Sequence, residues 1–285
     1  MPERTPSAVR SSPHPSVILK VENVERRFGG FTAVDVDHLT IRRGEITALI
    51  GPNGAGKTTL FNLLTGFDRP DAGQWTFDGY PLAGVPPHKV ARMGMVRTFQ
   101  LTKVLARLTV LENMRIAAPG QLGERLWMAP FSAVWRRGEK ENTSRARALL
   151  ARFLLDDKRD ELAGSLSGGQ RKLLEMARAL MVEPRMVMLD EPMAGVNPAL
   201  KQSLLKHIVS LRDDGVSVLF VEHDMDMVHE ISDNVVVMAQ GRVIAEGTAR
   251  EVTNDERVVG AYLGEHFGSD LDETAAALSD EGGGR

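Results

Sequence analysis

Apolar positions along this chain follow two rhythms. Short runs rich in branched residues, at 17–23, 34–40 and 45–50, are bounded by glycine or charged turns and predict three strands. Directly after the third run, Leu60, Phe61, Leu63 and Leu64 begin a helical apolar face that ends near Gly66. Residues 74–77, followed by Asp78-Gly79, predict a hairpin strand and its turn. A short helix opened by Pro86-Pro87 is expected over 85–93, and another strand over 95–98.

From about 101 to 163 the rhythm is helical. Thr109 and Glu112 have capping-box spacing at one helix start, and 145–155 carries apolar residues at helical intervals. Between them, 119–141 reads as less regular, with Trp127, Phe131 and Trp135 standing four apart. Those rings either pack on the neighbouring helices or form a ridge facing a partner. Strand-like runs then alternate with helices again: a helix over 170–181, a buried strand over 186–189, a helix over 198–212, and a strand over 216–221. A hairpin of 235–238 with 242–245 closes the series. This alternation predicts an α/β fold with a mostly parallel central sheet, an antiparallel β subdomain and a helical subdomain over about 101–163. Its ligand site is expected at the C-terminal ends of the parallel strands.

Composition narrows the function. A chain of 285 residues that is 42% hydrophobic can build an ordinary packed core. No apolar run reaches the ~20 residues of a membrane helix, and 1–16 is polar without the apolar centre of a secretion signal, so any membrane role is expected to be peripheral. The 35 basic and 38 acidic residues are interspersed and leave a net charge of −3, which argues against nucleic acid as a partner. Absence of cysteine excludes disulfides, thiol catalysis and cysteine-based zinc sites. Asn142-Thr143-Ser144 matches a glycosylation acceptor and is read as a chance match. The last residues, from 267, are acidic and Gly-rich and are expected to be a disordered tail, like 1–16. This leaves 17–266 as the folded domain.

Chemistry is densest where the third strand meets its helix. Gly51-Pro52-Asn53-Gly54-Ala55-Gly56-Lys57-Thr58-Thr59 fits the spacing of a nucleotide phosphate cradle. Glycines let backbone N–H groups converge on phosphate oxygens, and the following helix aims its positive N-terminus at the same anion. Lys57 is expected to neutralise terminal phosphates and Thr58 to place its hydroxyl on Mg2+. The run Met186-Val187-Met188-Leu189 leads into Asp190-Glu191, the second element such a cradle needs. Asp190 is expected to hold magnesium through its water shell, and Glu191 to orient or deprotonate the water attacking the γ-phosphate.

Leu166-Ser167-Gly168-Gly169-Gln170, ahead of a helix bearing Arg171-Lys172, is the third element. Here the chain resembles the ATP-binding subunits of ABC proteins, whose signature is this pentapeptide. The resemblance implies an ATPase in which two nucleotide-binding domains pair head to tail, so that each ATP lies between one cradle and the other subunit's Ser167, Gly168, Gly169 and Gln170. It also implies that Gln100 contacts magnesium and couples to the partner, that His223 meets the γ-phosphate, and that Phe28 stacks on adenine. Residues 194–198 would cross the dimer interface.

Arg26-Arg27-Phe28-Gly29-Gly30, Arg97-Thr98-Phe99-Gln100, Ala194-Gly195-Val196-Asn197-Pro198, Glu222-His223-Asp224-Met225 and Ala261-Tyr262-Leu263-Gly264-Glu265 together are similar to the branched-chain amino-acid importer branch of these ATPases. The likeness spans about 17–265. The signature departs from that branch, many of whose members carry tyrosine at the position of Gly168 and an acidic residue near Gly169. The implied protein is an ATP-hydrolysing, Mg2+-dependent subunit at the cytoplasmic face of the cell membrane. It would work with separate membrane subunits, a second nucleotide-binding subunit and an extracytoplasmic substrate-binding protein. Urea or amide uptake and lipid or glycolipid export are the alternative cargoes. A soluble ABC ATPase of DNA repair or of the ribosome is the alternative class.

Overall fold

The computed structural model describes residues 17–98, 104–119 and 132–262. Two 12-residue strands, β1 (Val17–Phe28) and β2 (Phe31–Arg42), form an antiparallel ribbon, to which β4 (Ala72–Phe77) and β5 (Tyr80–Pro81) add in the order β2-β1-β4-β5. Both long strands outrun the expected 17–23 and 34–40. Their outer halves carry charged and exposed residues, which main-chain pairing holds in register without an apolar pattern.

The second sheet has six strands in the order β10-β9-β3-β8-β7-β6: β3 (Ile46–Ile50), β6 (Met95–Arg97), β7 (Met186–Asp190), β8 (Ser217–Val221), β9 (Asn234–Ala239) and β10 (Arg242–Gly247). All neighbours are parallel except the β9–β10 hairpin. Every residue of β3, β7 and β8 is buried, as suits parallel strands covered on both faces. Helix α1 (Lys57–Leu64) contributes Leu60, Phe61, Leu63 and Leu64 to the core shared by the two sheets. Trp75 Nε1 donates to the Leu64 carbonyl at 3.3 Å beside them. A short α2 (Pro87–Arg92) then leads into β6.

The other core lies between the central sheet and α3 (Val110–Ala117), α4 (Ser132–Arg152), α5 (Gly168–Leu180), α6 (Pro198–Asp213), α7 (Met225–Ile231) and α8 (Ala249–Thr253). The capping box of Thr109 and Glu112 opens α3 as the spacing predicts. Helix α4 differs from expectation, since it starts at Ser132 rather than near 145 and passes through Gly138. Its C-terminal half is anchored through buried Ala146 and Leu150, and a nucleated helix propagates cheaply through a polar stretch that shows no apolar stripe. Trp127 and Phe131, the side chain of Trp135, and both tails lie outside the described residues. No described helix is long and apolar enough to cross a membrane.

Candidate functional site

Strand order brings the chemistry together. The C-terminal ends of β3, β8, β7 and β6 lie side by side, so the loops leaving them, at 51–56, 222–224, 191–197 and 98, open at one edge of the sheet. The loop after β3 is shaped by its glycines. Gly51 has φ +146, and a Cβ there would stand 2.0 Å from the Met238 carbonyl oxygen; Gly56 has φ +95, and its Cβ would stand 2.2 Å from that of Ala33. Only glycine fits either position. Gly56 caps α1 without any side-chain bond, so the positive end of the helix meets the loop with no capping side chain between them. Lys57 folds back over the loop and donates to the carbonyls of Gly51 at 2.6 Å and Pro52 at 2.7 Å. Residues 51–59 thus form the loop and helix start that follow β3, with Pro52, Asn53, Gly54 and Ala55 in the loop.

Asp190 ends β7 and is almost buried. Its Oδ2 accepts from Arg97 Nη2 at 2.7 Å, both side chains being only 6–7% exposed. Arg97 also donates to Asn62 Oδ1 at 2.6 Å and lies 5.4 Å from the centroid of the Phe61 ring, which ties β6 and β7 to α1. Glu191 follows with φ +46, its N–H donating to the Val221 carbonyl at 3.0 Å. Its carbonyl and that of Pro192 accept from Lys172 Nζ, on α5, at 3.1 and 3.0 Å. One residue on, the Met193 N–H donates to Glu222 Oε1 at 2.8 Å. Burial pushes the Glu222 carboxyl above the usual carboxylate range and the Lys172 ammonium below the usual lysine range. His223 is 77% exposed at the rim, its Nδ1 4.0 Å from Glu222 Oε2.

Ser167 caps α5 in a closed box: its Oγ accepts from the Gln170 N–H at 3.2 Å and Gln170 Oε1 accepts from the Ser167 N–H at 3.0 Å. Ser167 and Gly168 are exposed. A Cβ on Gly169 would meet Leu200 Cδ2 at 1.9 Å, whereas one on Gly168 would meet nothing closer than Arg171 Nη2 at 4.0 Å. Position 168 therefore has room for a larger residue, whereas at position 169 the Leu200 side chain would have to move aside.

Phe28 ends β1 opposite Phe31, is 50% exposed, and has the Arg26 guanidinium 4.6 Å from its ring centroid. Such a ring is available for stacking and is not core. Gln100 lies outside the described residues, although the Thr98 N–H two positions before it donates to the Met188 carbonyl at 2.9 Å. Asn62, Arg97, Lys172 and Glu222 carry no predicted role, yet Arg97 joins Asn62 to Asp190, and Lys172 and Glu222 bond to the main chain of residues 191–193. A cation inside the short apolar strand 95–97 and a carboxylate directly after the apolar run 217–221 are the signals that point to two of them.

Sequence and structure comparisons agree with this geometry. A family model described as "ABC transporter" matches residues 34–194, and one described as "Branched-chain amino acid ATP-binding cassette transporter" matches 242–268. The chain is 44% identical over 247 residues to a probable branched-chain amino acid transport ATP-binding protein LivG of Archaeoglobus fulgidus, covering 87% of this chain and 95% of the relative. It is 42% identical over 250 residues to the high-affinity branched-chain amino acid transport ATP-binding protein BraF of Pseudomonas aeruginosa, covering 87% and 98%. The crystal structure of an ATP-binding cassette of an ABC transporter in its ADP conformation superposes with a TM-score of 0.76 at 38% identity, covering 87% of this chain and 99% of that one.

Proposed function

Because the chain belongs to the ABC transporter family of ATP-binding subunits, an ATPase family, we propose that it powers branched-chain amino-acid transport as a peripheral subunit on the cytoplasmic face of the membrane. Its partners in this reading are separate membrane subunits, a second nucleotide-binding subunit, and an extracytoplasmic protein that captures the cargo. One observation carries the cargo assignment: similarity to proteins named for branched-chain amino-acid transport runs over nearly nine-tenths of the chain and includes the stretch 242–268.

Within the site, the loop 51–56 and the N-terminus of α1 receive the phosphates of ATP, and Lys57 turns from the carbonyls it now caps to the β- and γ-phosphates. Phe28 offers its half-exposed face to the adenine ring. The Thr58 hydroxyl, the Gln100 amide oxygen and the buried Asp190 carboxylate are oxygen donors of the kind Mg2+ prefers, with Asp190 fixed at the end of β7. When bound, the ion neutralises charge on the β- and γ-phosphates. Glu191 orients the attacking water and takes its proton, while His223, on the exposed rim, donates a hydrogen bond to the γ-phosphate. Ser167, Gly168, Gly169 and Gln170 present their exposed cap to the nucleotide held by the second subunit.

Glu191→Gln tests this reading. The variant is expected to bind ATP within about twofold of wild type while hydrolysis falls at least a hundredfold, within the range that general acid–base groups contribute. Normal turnover by Glu191→Gln refutes the assignment of the base.

A further inference from the structure

The main chain of the turn that carries Glu191 is gripped from both sides by charged groups. From α5, Lys172 Nζ donates to the carbonyls of Glu191 and Pro192 at 3.1 and 3.0 Å. From the end of β8, Glu222 accepts the Met193 N–H at 2.8 Å with its side chain 1% exposed. Between these grips, Glu191 adopts φ +46, a left-handed conformation that L-residues keep only where the surroundings impose it. An ammonium donating to two carbonyls and a carboxylate accepting an N–H are charge-assisted bonds, stronger than neutral ones.

We propose that Lys172 and Glu222 are a pair of positioning residues that set the place of the Glu191 carboxylate by clamping the main chain of residues 191–193. The inference rests on Glu191 being the catalytic carboxylate. Each acts through the backbone of the turn. Because α5 begins at the Ser167 cap, the clamp also gives that cap and Glu191 a common support. A hydrolytic base misplaced by a fraction of an ångström loses rate without losing substrate, so the pair belongs to kcat and not to binding.

The test uses the full chain with saturating Mg-ATP, and four variants beside Glu191→Gln. Lys172→Met keeps the length of the stem, which matters because Lys172, Asp190 and Pro192 line a cavity of about 20 Å3 that a shorter residue would enlarge. Lys172→Met and Glu222→Met are each expected to lower kcat about tenfold or more, with the Kd for a fluorescent ATP analogue within about twofold. Lys172→Arg and Glu222→Gln, which keep a donor to the carbonyls and an acceptor for the N–H, are expected to retain at least about half of the wild-type kcat. A merely structural role predicts instead a parallel loss of nucleotide affinity and thermal stability, with no rescue by the conservative pair. Should one methionine variant fail to fold, the other tests the clamp from its opposite side, and either conservative variant losing kcat tenfold overturns it. If Glu191→Gln hydrolyses ATP normally, the underlying reading falls. If Glu191→Gln is inactive while Lys172→Met and Glu222→Met turn over normally, only this inference falls.

Discussion

Replacing Arg97 by methionine isolates the buried ion pair beneath the site. The Arg97 guanidinium pairs with Asp190 at 2.7 Å, with both side chains nearly out of solvent. Methionine fills much of the same space but leaves the Asp190 carboxylate buried without its counter-charge. Breaking a buried ion pair from one side costs roughly 3–5 kcal/mol. The bond to Asn62 Oδ1 goes with it, at about 1 kcal/mol, and the apolar replacement beside Phe61 offsets part of the loss. We expect a net destabilisation of about 3 kcal/mol, read as a lower urea midpoint by circular dichroism without nucleotide. The double variant Arg97→Met with Asp190→Asn removes both charges and is expected to recover most of the loss, giving a coupling of about 2 kcal/mol or more in the double-mutant cycle. A loss under about 1 kcal/mol for Arg97→Met, or a double variant no more stable than the single one, would mean that the pair does not hold Asp190 in this way.

Two further outcomes follow from local geometry. Gly54→Ala and Gly56→Ala should separate in thermal unfolding: both sit at positive φ, but the space at Gly54 is open while the Cβ at 56 meets the Ala33 carbonyl at 2.2 Å. The first is expected to cost about 1 kcal/mol and the second about 3 kcal/mol or more, because backbone must move. Burial, aided by the Arg152 charge, holds the His207 imidazole below the usual histidine pKa of about 6.5, packed 4.5 Å from the Phe153 ring. Its folded-state pKa is depressed, so the unfolded chain binds the proton first. Stability is then fully present above about pH 6.5 and falls as pH drops below it, and His207→Leu should flatten that part of a urea-midpoint-against-pH curve; an unchanged slope would count against it.

How far the molecule could be read from its sequence depended on the range of the interactions involved. The cradle was legible because its requirement is local: left-handed glycines, a lysine and a helix start must follow one another along the chain, and Gly51 and Gly56 keep those conformations here. The Ser167 cap was legible for the same reason, its box closing within four residues. Asp190 and Glu191 announced themselves by ending an apolar run. The length of β1 and β2 and the early start of α4 were not legible, since partner strands and helix propagation supply them without an apolar pattern.

Local pattern along the chain was enough for the α/β architecture, the nucleotide chemistry and the family. That Arg97 faces Asp190, that Lys172 and Glu222 grip one turn, and that Phe28 stands half out of the core emerge from the folded molecule alone. The first two depend on which strand ends are neighbours, and the third on where the β1–β2 ribbon ends. The order β3-β8-β7-β6 joins residues some ninety positions apart, as the Arg97–Asp190 bond shows. Backbone conformation is dictated by adjacent residues, whereas the partner of a buried charge is dictated by sheet order, which no local pattern records.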